Sequence, residues 1–284
     1  MSQRSEALDL CFAYDPAGLR SVMDAATDIA ARTGCESHQL LIVLGSGYAS
    51  VARSLGSRVA SIPLGSLSGV PVPSAEGHGQ ELLSIQMPTP HGDVRALVAT
   101  GRSHMYEGLT PSEVVQLCRI GAATGIEAAV LTNAGGCLSD WELGDLMVID
   151  DHVNLTGISP FTGAVFTDIW NLWDQELSDI LAQHARRRGT YAFLRGPEYQ
   201  TRRESELMRA AGLNMVGMST VLEALALHQL GVRVAGISIV SDLSFSSSPT
   251  EHDLVLDAVN RALGSVKEAL LAVADHVAGS ALAC

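Results

Sequence analysis

A continuous apolar run at residues 40–44 (LLIVL) constrains the fold more than any other feature of the sequence. Five apolar residues with no polar break predict a strand buried on both faces, as in parallel sheets covered by helices. Similar short runs alternate with helical patterns along the chain. Predicted strands cover residues 40–44, 96–99, 128–131, 146–149, 190–194 and 232–240, and predicted helices cover residues 17–33, 111–121, 205–211, 221–230 and the segment from residue 251 onward. This alternation predicts an α/β fold.

Local signals support two of the predicted helix starts and the division into domains. Asp15-Pro16 and Thr110-Pro111 each place a capping side chain before a proline, the arrangement expected at the first turn of a helix. Residues 155–173 are irregular and aromatic, and a loop of this length suits a lid or a subunit contact. No linker, repeat or low-complexity tract interrupts the chain, so we expect a single domain over residues 1–284.

Composition argues against several classes of function. The 284 residues are 47% hydrophobic, enough for a substantial core, and carry a formal net charge of −13. That charge argues against binding to nucleic acid or to an anionic membrane surface, because both rely on clustered Lys and Arg. The five cysteines are scattered without a CxxC pair, which favours reduced thiols over a disulfide framework or a zinc site. Residues 1–10 have no signal-peptide pattern, so a cytoplasmic protein is expected.

The segment at residues 45–47 (GSG), directly after the first predicted strand, has the composition of an anion site. Glycines leave backbone N–H groups open, and the serine adds a hydroxyl donor. The segment is not a dinucleotide fingerprint, because Ser50 takes the place of the third glycine, and no Gly-Lys-Ser/Thr of a P-loop follows. Arg102 and His104, two residues apart, point to the same face of an extended segment. These residues are candidates for an anion site, although glycines that only turn the chain and a solvated or salt-bridged Arg102 would fit the same pattern.

Five short motifs in a fixed order extend this interpretation. They are residues 45–47 (GSG), 101–108 (GRSHMYEG), 132–136 (TNAGG), 196–201 (GPEYQT) and 216–220 (VGMST). In this order they resemble the trimeric purine nucleoside phosphorylase family, which also contains the methylthioadenosine phosphorylases. The resemblance implies a three-layer αβα domain whose central mixed sheet is bent toward a barrel, assembled as a homotrimer. It also implies reversible phosphorolysis of a purine nucleoside to the base and (deoxy)ribose 1-phosphate, with inorganic phosphate as co-substrate and neither cofactor nor metal.

The resemblance also implies a role for individual residues. The implied phosphate ligands are Ser46, His78, Arg102, His104, the backbone of Ala134, and Ser219. The implied ribose contacts are Tyr106, Met218 and His252, and the implied base contacts are Tyr199, Gln200, Val216, Ser241 and Asp242. His104 and Asp242 are the expected catalytic residues. His252 follows a loop that is shorter than the family norm, and a histidine at this place favours a nucleoside with an unmodified 5′-hydroxyl.

Gln200 and Asp242 depart from the inosine and guanosine enzymes of the family, which have glutamate and asparagine at these places. A 6-aminopurine presents an acceptor at N1 and a donor at its amino group, the reverse of a 6-oxopurine. Gln200 can donate to N1, and Asp242 can accept from the amino group. Both departures therefore predict a preference for adenosine-type nucleosides, and Asp242 could also deliver a proton to N7 of the departing base.

Several alternatives remain open from the residues alone. Gln200 could turn its carbonyl oxygen to N1–H and still accept inosine or guanosine. The chain could be a phosphorylase for 5′-methylthio- or 5′-halo-deoxyadenosines, or a non-catalytic nucleoside-binding protein. The retained phosphate residues argue against a mere binding protein, because a nucleoside binder has no need to hold phosphate. In the family an aromatic residue of the neighbouring subunit caps the sugar, and Phe161 and Phe166 are both candidates.

Overall fold

Nine strands in the described part of the chain form one mixed sheet. The structure, a computed structural model, describes residues 3–75, 77–245 and 252–281, and at residues 3–4, 252–259 and 281 it describes the backbone alone. The helices are α1 Gln3–Cys11, α2 Pro16–Thr33, α3 Pro111–Val114, α4 Gln116–Ala123, α5 Gln175–Ala182, α6 Arg202–Ala210, α7 Val221–Gln229 and α8 His252–Ala281. The strands are β1 Leu40–Val43, β2 Ser57–Pro63, β3 Glu81–Met87, β4 Val94–Ala99, β5 Ala128–Cys137, β6 Leu146–Asn154, β7 Arg187–Phe193, β8 Met215–Gly217 and β9 Arg233–Leu243.

Five of the nine strands close into a barrel, and the other four extend from it as an open sheet. Its order is β2-β3-β4-β1-β5-β8-β7-β6-β9, and β9 also pairs in parallel with β5. Strands β5, β8, β7, β6 and β9 therefore form a closed five-stranded barrel, which confirms the expected mixed sheet bent toward a barrel. The remaining strands extend from β5 through β1, which runs parallel to both β4 and β5.

Helices cover both faces of the sheet, as the αβα prediction requires. One hydrophobic cluster joins the sheet to α2, α4 and α7, and a second joins it to α5 and α8. Strand β1 contributes to both, because Leu41 and Val43 lie in the first cluster while Leu40 and Ile42 lie in the second. This alternation of a wholly apolar strand confirms that residues 40–44 are buried on both faces. No helix in the described ranges has the length and apolar character needed to cross a membrane.

The structure corrects several predicted elements. The helix predicted at residues 111–121 is interrupted at Val115, whose backbone leaves the helical region at φ −95° and ψ 1°. The strand predicted at residues 128–131 continues to Cys137, because the small residues of the TNAGG motif pair with β9. The described elements that the sequence did not predict are α1, β2, β3, α5 and β8. Strand β2 lies at the sheet edge and is mostly exposed, so it lacks the apolar run that marks a buried strand.

The predicted helix caps are present. The Asp15 side chain accepts a hydrogen bond from the Gly18 backbone N–H at 2.9 Å. Thr110 and Glu113 form a reciprocal capping box at the start of α3, in which each side chain accepts from the backbone N–H of the other. These local contacts set where two of the helices flanking the first core cluster begin.

Candidate active site

A cavity of about 810 Å³ opens where β5, β8 and β9 meet the segment after β1. Every residue predicted for the site except His252 lines it: Ser46, His78, Arg102, His104, Tyr106, Ala134, Tyr199, Gln200, Val216, Met218, Ser219, Ser241 and Asp242. His252 begins α8, and its side chain lies outside the described part of the structure. The five motifs, which are far apart in sequence, therefore meet around one cavity.

Close contact between the end of β1 and β5 positions the GSG segment. A Cβ atom on Gly45 would lie 2.8 Å from the carbonyl oxygen of Thr132, so only glycine fits there without a shift. The Gly45 N–H instead donates to the Thr132 hydroxyl at 3.0 Å. This approach places Ser46 in the same cavity wall as Ala134.

Arg102 is a buried cation with one donor atom left over. Its Nε lies 3.1 Å from both carboxylate oxygens of Glu223, and its Nη1 donates to the Thr132 carbonyl oxygen and, at 3.5 Å, to the Thr220 hydroxyl. Its Nη2 is buried and has no hydrogen-bond partner among the described residues. Burial raises the pKa of Glu223, and the Arg102 charge opposes that rise. Since Arg102 lines the cavity, Nη2 is the guanidinium nitrogen that retains hydrogen-bonding capacity for a ligand there.

Glu107 joins two segments of the cavity wall. Its Oε1 accepts from the backbone N–H of His104 at 2.6 Å and from His104 Nδ1 at 3.0 Å. Its Oε2 accepts from the backbone N–H and the hydroxyl of Ser74, both at 2.6 Å. Burial alone would raise the pKa of Glu107, but these hydrogen bonds hold it below its ordinary value. Glu107 is therefore a carboxylate that ties His104 to the segment preceding His78.

The hydrogen bonds assign complementary roles to the two histidines. The carboxylate of Glu107 requires a proton on Nδ1 of His104, so Nε2 of a neutral His104 is an acceptor. His78 Nδ1 accepts from the Arg102 backbone N–H at 3.2 Å, so its proton is on Nε2, which is a donor. Burial lowers the pKa of His104 to about 4 and that of His78 to about 3, and the nearby charge of Arg102 lowers both. At neutral pH the pair offers one donor and one acceptor.

These depressed pKa values predict a loss of stability in mild acid. Burial also lowers the pKa of His38, outside the cavity, to about 4. Below about pH 6.5 these three histidines bind protons in the unfolded chain but remain neutral in the folded chain. The stability that they contribute above pH 6.5 therefore declines as the pH falls toward 4. Each buried histidine contributes a slope of up to about 1.4 kcal/mol per pH unit. Urea unfolding between pH 7 and 4.5 measures this slope.

Two variants separate the pH effect from the chemistry of the site. His38→Gln and His104→Gln should each reduce the slope of unfolding free energy against pH, because each removes one group that takes up a proton on unfolding. Only His104→Gln should also reduce turnover. A slope that neither variant changes would contradict the assignment of neutral, buried imidazoles.

A strained turn holds Ser219 at the start of α7. Thr220 has φ +78°, in the region that non-glycine residues rarely adopt, and the Val221 N–H donates to the Ser219 carbonyl oxygen at 2.9 Å. This is the rare form of γ-turn, which costs about 1–3 kcal/mol. The Thr220 hydroxyl accepts from Asn133 Nδ2 at 2.9 Å, and that hydrogen bond helps to offset the strain. The turn places Ser219 in the cavity wall beside the helix N-terminus.

A β-bulge shapes the other end of the cavity. Gly135 pairs with Val240 and Gly136 pairs with Asp242, so Ser241 is an extra residue in β9. The Ser241 hydroxyl donates to the Gly135 carbonyl oxygen at 3.3 Å, which ties the bulge to β5. Bulges of this kind re-aim the side chains beside them, and both Ser241 and Asp242 line the cavity.

Gln200 meets a residue that the sequence analysis did not identify. Its Nε2 donates to the Ser244 hydroxyl at 3.1 Å, and both residues line the cavity. Gly136 provides the room for this contact, because a Cβ atom there would lie 2.8 Å from Ser244 Oγ. The residues that sequence reasoning missed are thus partners of the predicted ones: Ser74, Glu107, Thr220, Glu223 and Ser244. Two of them carried a local signal, since Glu107 lies in the same motif as His104 and Thr220 in the same motif as Ser219.

The aromatic loop at residues 155–173 separates its two candidate capping residues. Phe161 is half-buried and packs against the chain's own hydrophobic core. Phe166 is 97% exposed, and Trp170 is 90% exposed. Arg119 anchors the base of the loop by donating to the Pro160 carbonyl oxygen at 2.9 Å. Within the described ranges, no group of three or more His, Cys, Asp or Glu residues is arranged to hold a metal ion.

Comparison with known proteins gives consistent matches. Residues 39–275 match the model of the Phosphorylase superfamily. The purine nucleoside phosphorylase of Cellulomonas sp is 39% identical over 254 residues, which cover 87% of this chain and 90% of that protein. The purine nucleoside phosphorylase of Mycobacterium leprae (strain TN) is 40% identical over 239 residues, which cover 82% and 88%.

A solved structure shares the fold. It is isoform 2 of purine nucleoside phosphorylase from Schistosoma mansoni, in complex with cytosine and ribose-1-phosphate. The superposition has a TM-score of 0.80 at 24% identity and covers 90% of this chain and 96% of that chain. At this identity the likeness concerns the fold alone.

Proposed function

This chain belongs to the purine nucleoside phosphorylase family of pentosyltransferases, and on that basis we propose that its own cavity cleaves adenosine-type nucleosides with phosphate. The single observation that carries the proposal is the convergence of two sets of groups on one cavity. Hydrogen-bond donors for an anion (Ser46, Arg102, Ser219) and side chains that can hydrogen-bond to a purine base (Gln200, Asp242) line the same cavity. A protein that only bound nucleosides would have no use for the first set.

The phosphate end is suited to hold and aim one oxygen of the anion. The unpartnered Nη2 of Arg102, the Nε2–H of His78 and the hydroxyls of Ser46 and Ser219 are donors. Nε2 of neutral His104 is an acceptor for a proton on phosphate or on a sugar hydroxyl. Such a preorganised set stabilises charge without a metal ion or a covalent intermediate. Tyr106, stacked on His104 with ring centroids 4.6 Å apart, and Met218 are the proposed ribose contacts.

The proposed reaction breaks the bond between C1′ and the purine nitrogen and forms a bond between C1′ and a phosphate oxygen. Phosphate attacks from the face opposite the base while the sugar carries oxocarbenium character. The electron pair of the broken bond remains on the purine, and a proton at N7 neutralises it. Asp242 is the proposed proton donor, since it lies in the part of the cavity lined by Gln200, Ser241, Asp242 and Ser244, which we call the base end.

The preference for adenine rests on the hydrogen-bonding capacity of the base end. When Asp242 directs its acid proton to N7, its other carboxyl oxygen can only accept, which suits a 6-amino group and not a 6-oxo group. The inosine and guanosine alternative would require Asp242 to act as a donor toward O6. The 5′-modified alternative concerns the part of the site that includes His252, which lies outside the described side chains.

One assay tests the proposal and its alternatives. Release of free base is measured from adenosine, inosine and 5′-methylthioadenosine, each with and without phosphate. We expect phosphate-dependent release of adenine from adenosine as the fastest reaction. Faster release of hypoxanthine would overturn the base assignment, and faster cleavage of 5′-methylthioadenosine would establish the 5′-modified alternative. No phosphate-dependent release from any of the three would overturn the proposed activity.

We further propose a homotrimer in which Phe166 caps the sugar site of a neighbouring copy. Its full exposure supports this role, whereas Phe161 is engaged in its own core. Phe166→Ala should raise KM for the nucleoside at least about fivefold through lost apolar contact, with the unfolding midpoint unchanged. Phe161→Ala should instead lower the unfolding midpoint. Light scattering should give a mass three times that of the 29.9 kDa chain, and a monomer of full activity would contradict the capping role.

A further inference from the structure

We propose that Ser244 is a specificity-determining residue that allows Gln200 to read either form of purine N1. The inference rests on the proposed function, because it concerns the base that the cavity accepts. The observation behind it is the contact between Gln200 Nε2 and the Ser244 hydroxyl at 3.1 Å, at the base end of the cavity.

Ser244 is held in place by its own backbone N–H and by a side-chain contact of the residue that follows it. Its N–H donates to the Cys137 carbonyl oxygen at 3.1 Å, which fixes it to the end of β5. The next residue, Phe245, lies under the guanidinium of Arg209, 5.3 Å from the ring centroid. Gly136 leaves the space in which the hydroxyl and the Gln200 amide meet. Ser244 is therefore a fixed partner, and the Gln200 amide is the group that turns.

A hydroxyl is both a donor and an acceptor, and an amide has one end of each kind. When the amide nitrogen faces Ser244, the hydroxyl accepts, and the carbonyl oxygen of Gln200 remains for an N1–H of a 6-oxopurine. When the amide turns over, the hydroxyl donates to the carbonyl oxygen, and the amide nitrogen remains for the N1 acceptor of a 6-aminopurine. Ser244 satisfies Gln200 equally in both orientations.

The two base-reading side chains then have different roles. Gln200, with Ser244 as its partner, accepts purine N1 with or without a proton. Asp242 is then the residue that discriminates between a 6-amino and a 6-oxo group. A fixed partner that only accepts would hold the amide nitrogen of Gln200 toward itself and leave only the carbonyl oxygen for the base. Such a partner would convert Gln200 into a reader of N1–H.

A matched pair of variants tests this role. Ser244→Thr keeps the hydroxyl, while Ser244→Val has nearly the same shape without it. The valine variant should have about tenfold lower kcat/KM than the threonine variant on both adenosine and inosine, because the Gln200 amide loses its partner. In a Gln200→Ala background this difference should disappear, since Ser244 acts through Gln200. Equal activity of the two variants, or a difference that persists in that background, would overturn the proposal.

A third variant tests the turning of the amide. Ser244→Asp supplies an acceptor-only partner and should lower the ratio of kcat/KM for adenosine to that for inosine at least tenfold. The change in ratio should require Gln200, and a change of the same size in the Gln200→Ala background would assign it to charge alone and overturn the turning mechanism. Failure of the unsubstituted protein to cleave either nucleoside would overturn the proposed function itself, which distinguishes that failure from the failure of this inference.

Discussion

Replacing Arg102 by methionine is expected to lower kcat/KM for phosphate by about 100- to 1,000-fold, the usual effect of removing a preorganised charge-stabilising donor. The free energy of unfolding of the same variant should be about 3–5 kcal/mol lower, because Glu223 would remain buried without its partner. Both effects follow from one side chain that pairs inward through Nε and leaves Nη2 for the ligand. Initial rates at varied phosphate concentration, together with urea unfolding, measure them.

A second variant separates the two roles of Arg102. Arg102→Met combined with Glu223→Gln removes the buried charge on both sides, so most of the lost stability should return. Activity should not return, because the donor to phosphate is still missing. If the double variant recovered phosphate-dependent turnover, Arg102 would be a structural residue and the phosphate site would lie elsewhere.

Asp242→Asn is expected to lower kcat/KM for adenosine about ten- to a hundredfold and to raise it for inosine. One oxygen of the Asp242 carboxyl group accepts from a 6-amino group, whereas an asparagine amide can also donate to a 6-oxo group, and an unmatched polar group costs about 1–3 kcal/mol. The loss for adenosine should be larger in kcat than in KM if Asp242 also supplies the proton to N7. Steady-state kinetics on both nucleosides measure the change.

Gln200→Glu serves as the matched comparison for Asp242→Asn. It introduces an acceptor at N1 and should favour inosine without affecting the proton at N7, so its effect on kcat should be smaller. The combined variant reproduces the residue pair of the inosine and guanosine enzymes and should prefer inosine most strongly. Unchanged turnover of adenosine in Asp242→Asn would show that this residue neither reads the base nor donates a proton.

Local sequence patterns predicted the buried strands and the helix caps because their causes are local. Residues 40–44 must be wholly apolar to contact both core clusters, and Asp15 and Thr110 cap the turn that immediately follows each of them. Strand β8 has only three residues, and β2 is an exposed edge strand, so neither has a local hydrophobic pattern. The closed barrel depends on the pairing of β5 with β9, far along the chain, and only the family resemblance indicated it.

Most of the predicted site residues lie within the five short motifs, whose residue types and order identified them. His78, Ser241, Asp242 and His252 lie outside these motifs, and only the family resemblance indicated them. Two of the partners that were missed come from distant segments: Glu223 lies 121 residues from Arg102, and Ser244 lies 44 residues from Gln200. Nothing in the local sequence marks a leucine-rich helix as the source of a buried carboxylate. The bulge at Ser241 likewise depends on its register with β5.

Phosphorus NMR of the protein with adenosine and inorganic phosphate tests the central claim most directly. The account predicts that phosphate disappears as a new phosphomonoester appears, one ribose 1-phosphate for each adenine released. Attack from the face opposite the base should give the α anomer of that product. Adenine released together with free ribose, while the phosphate signal stays constant, would contradict phosphorolysis and identify a hydrolase instead.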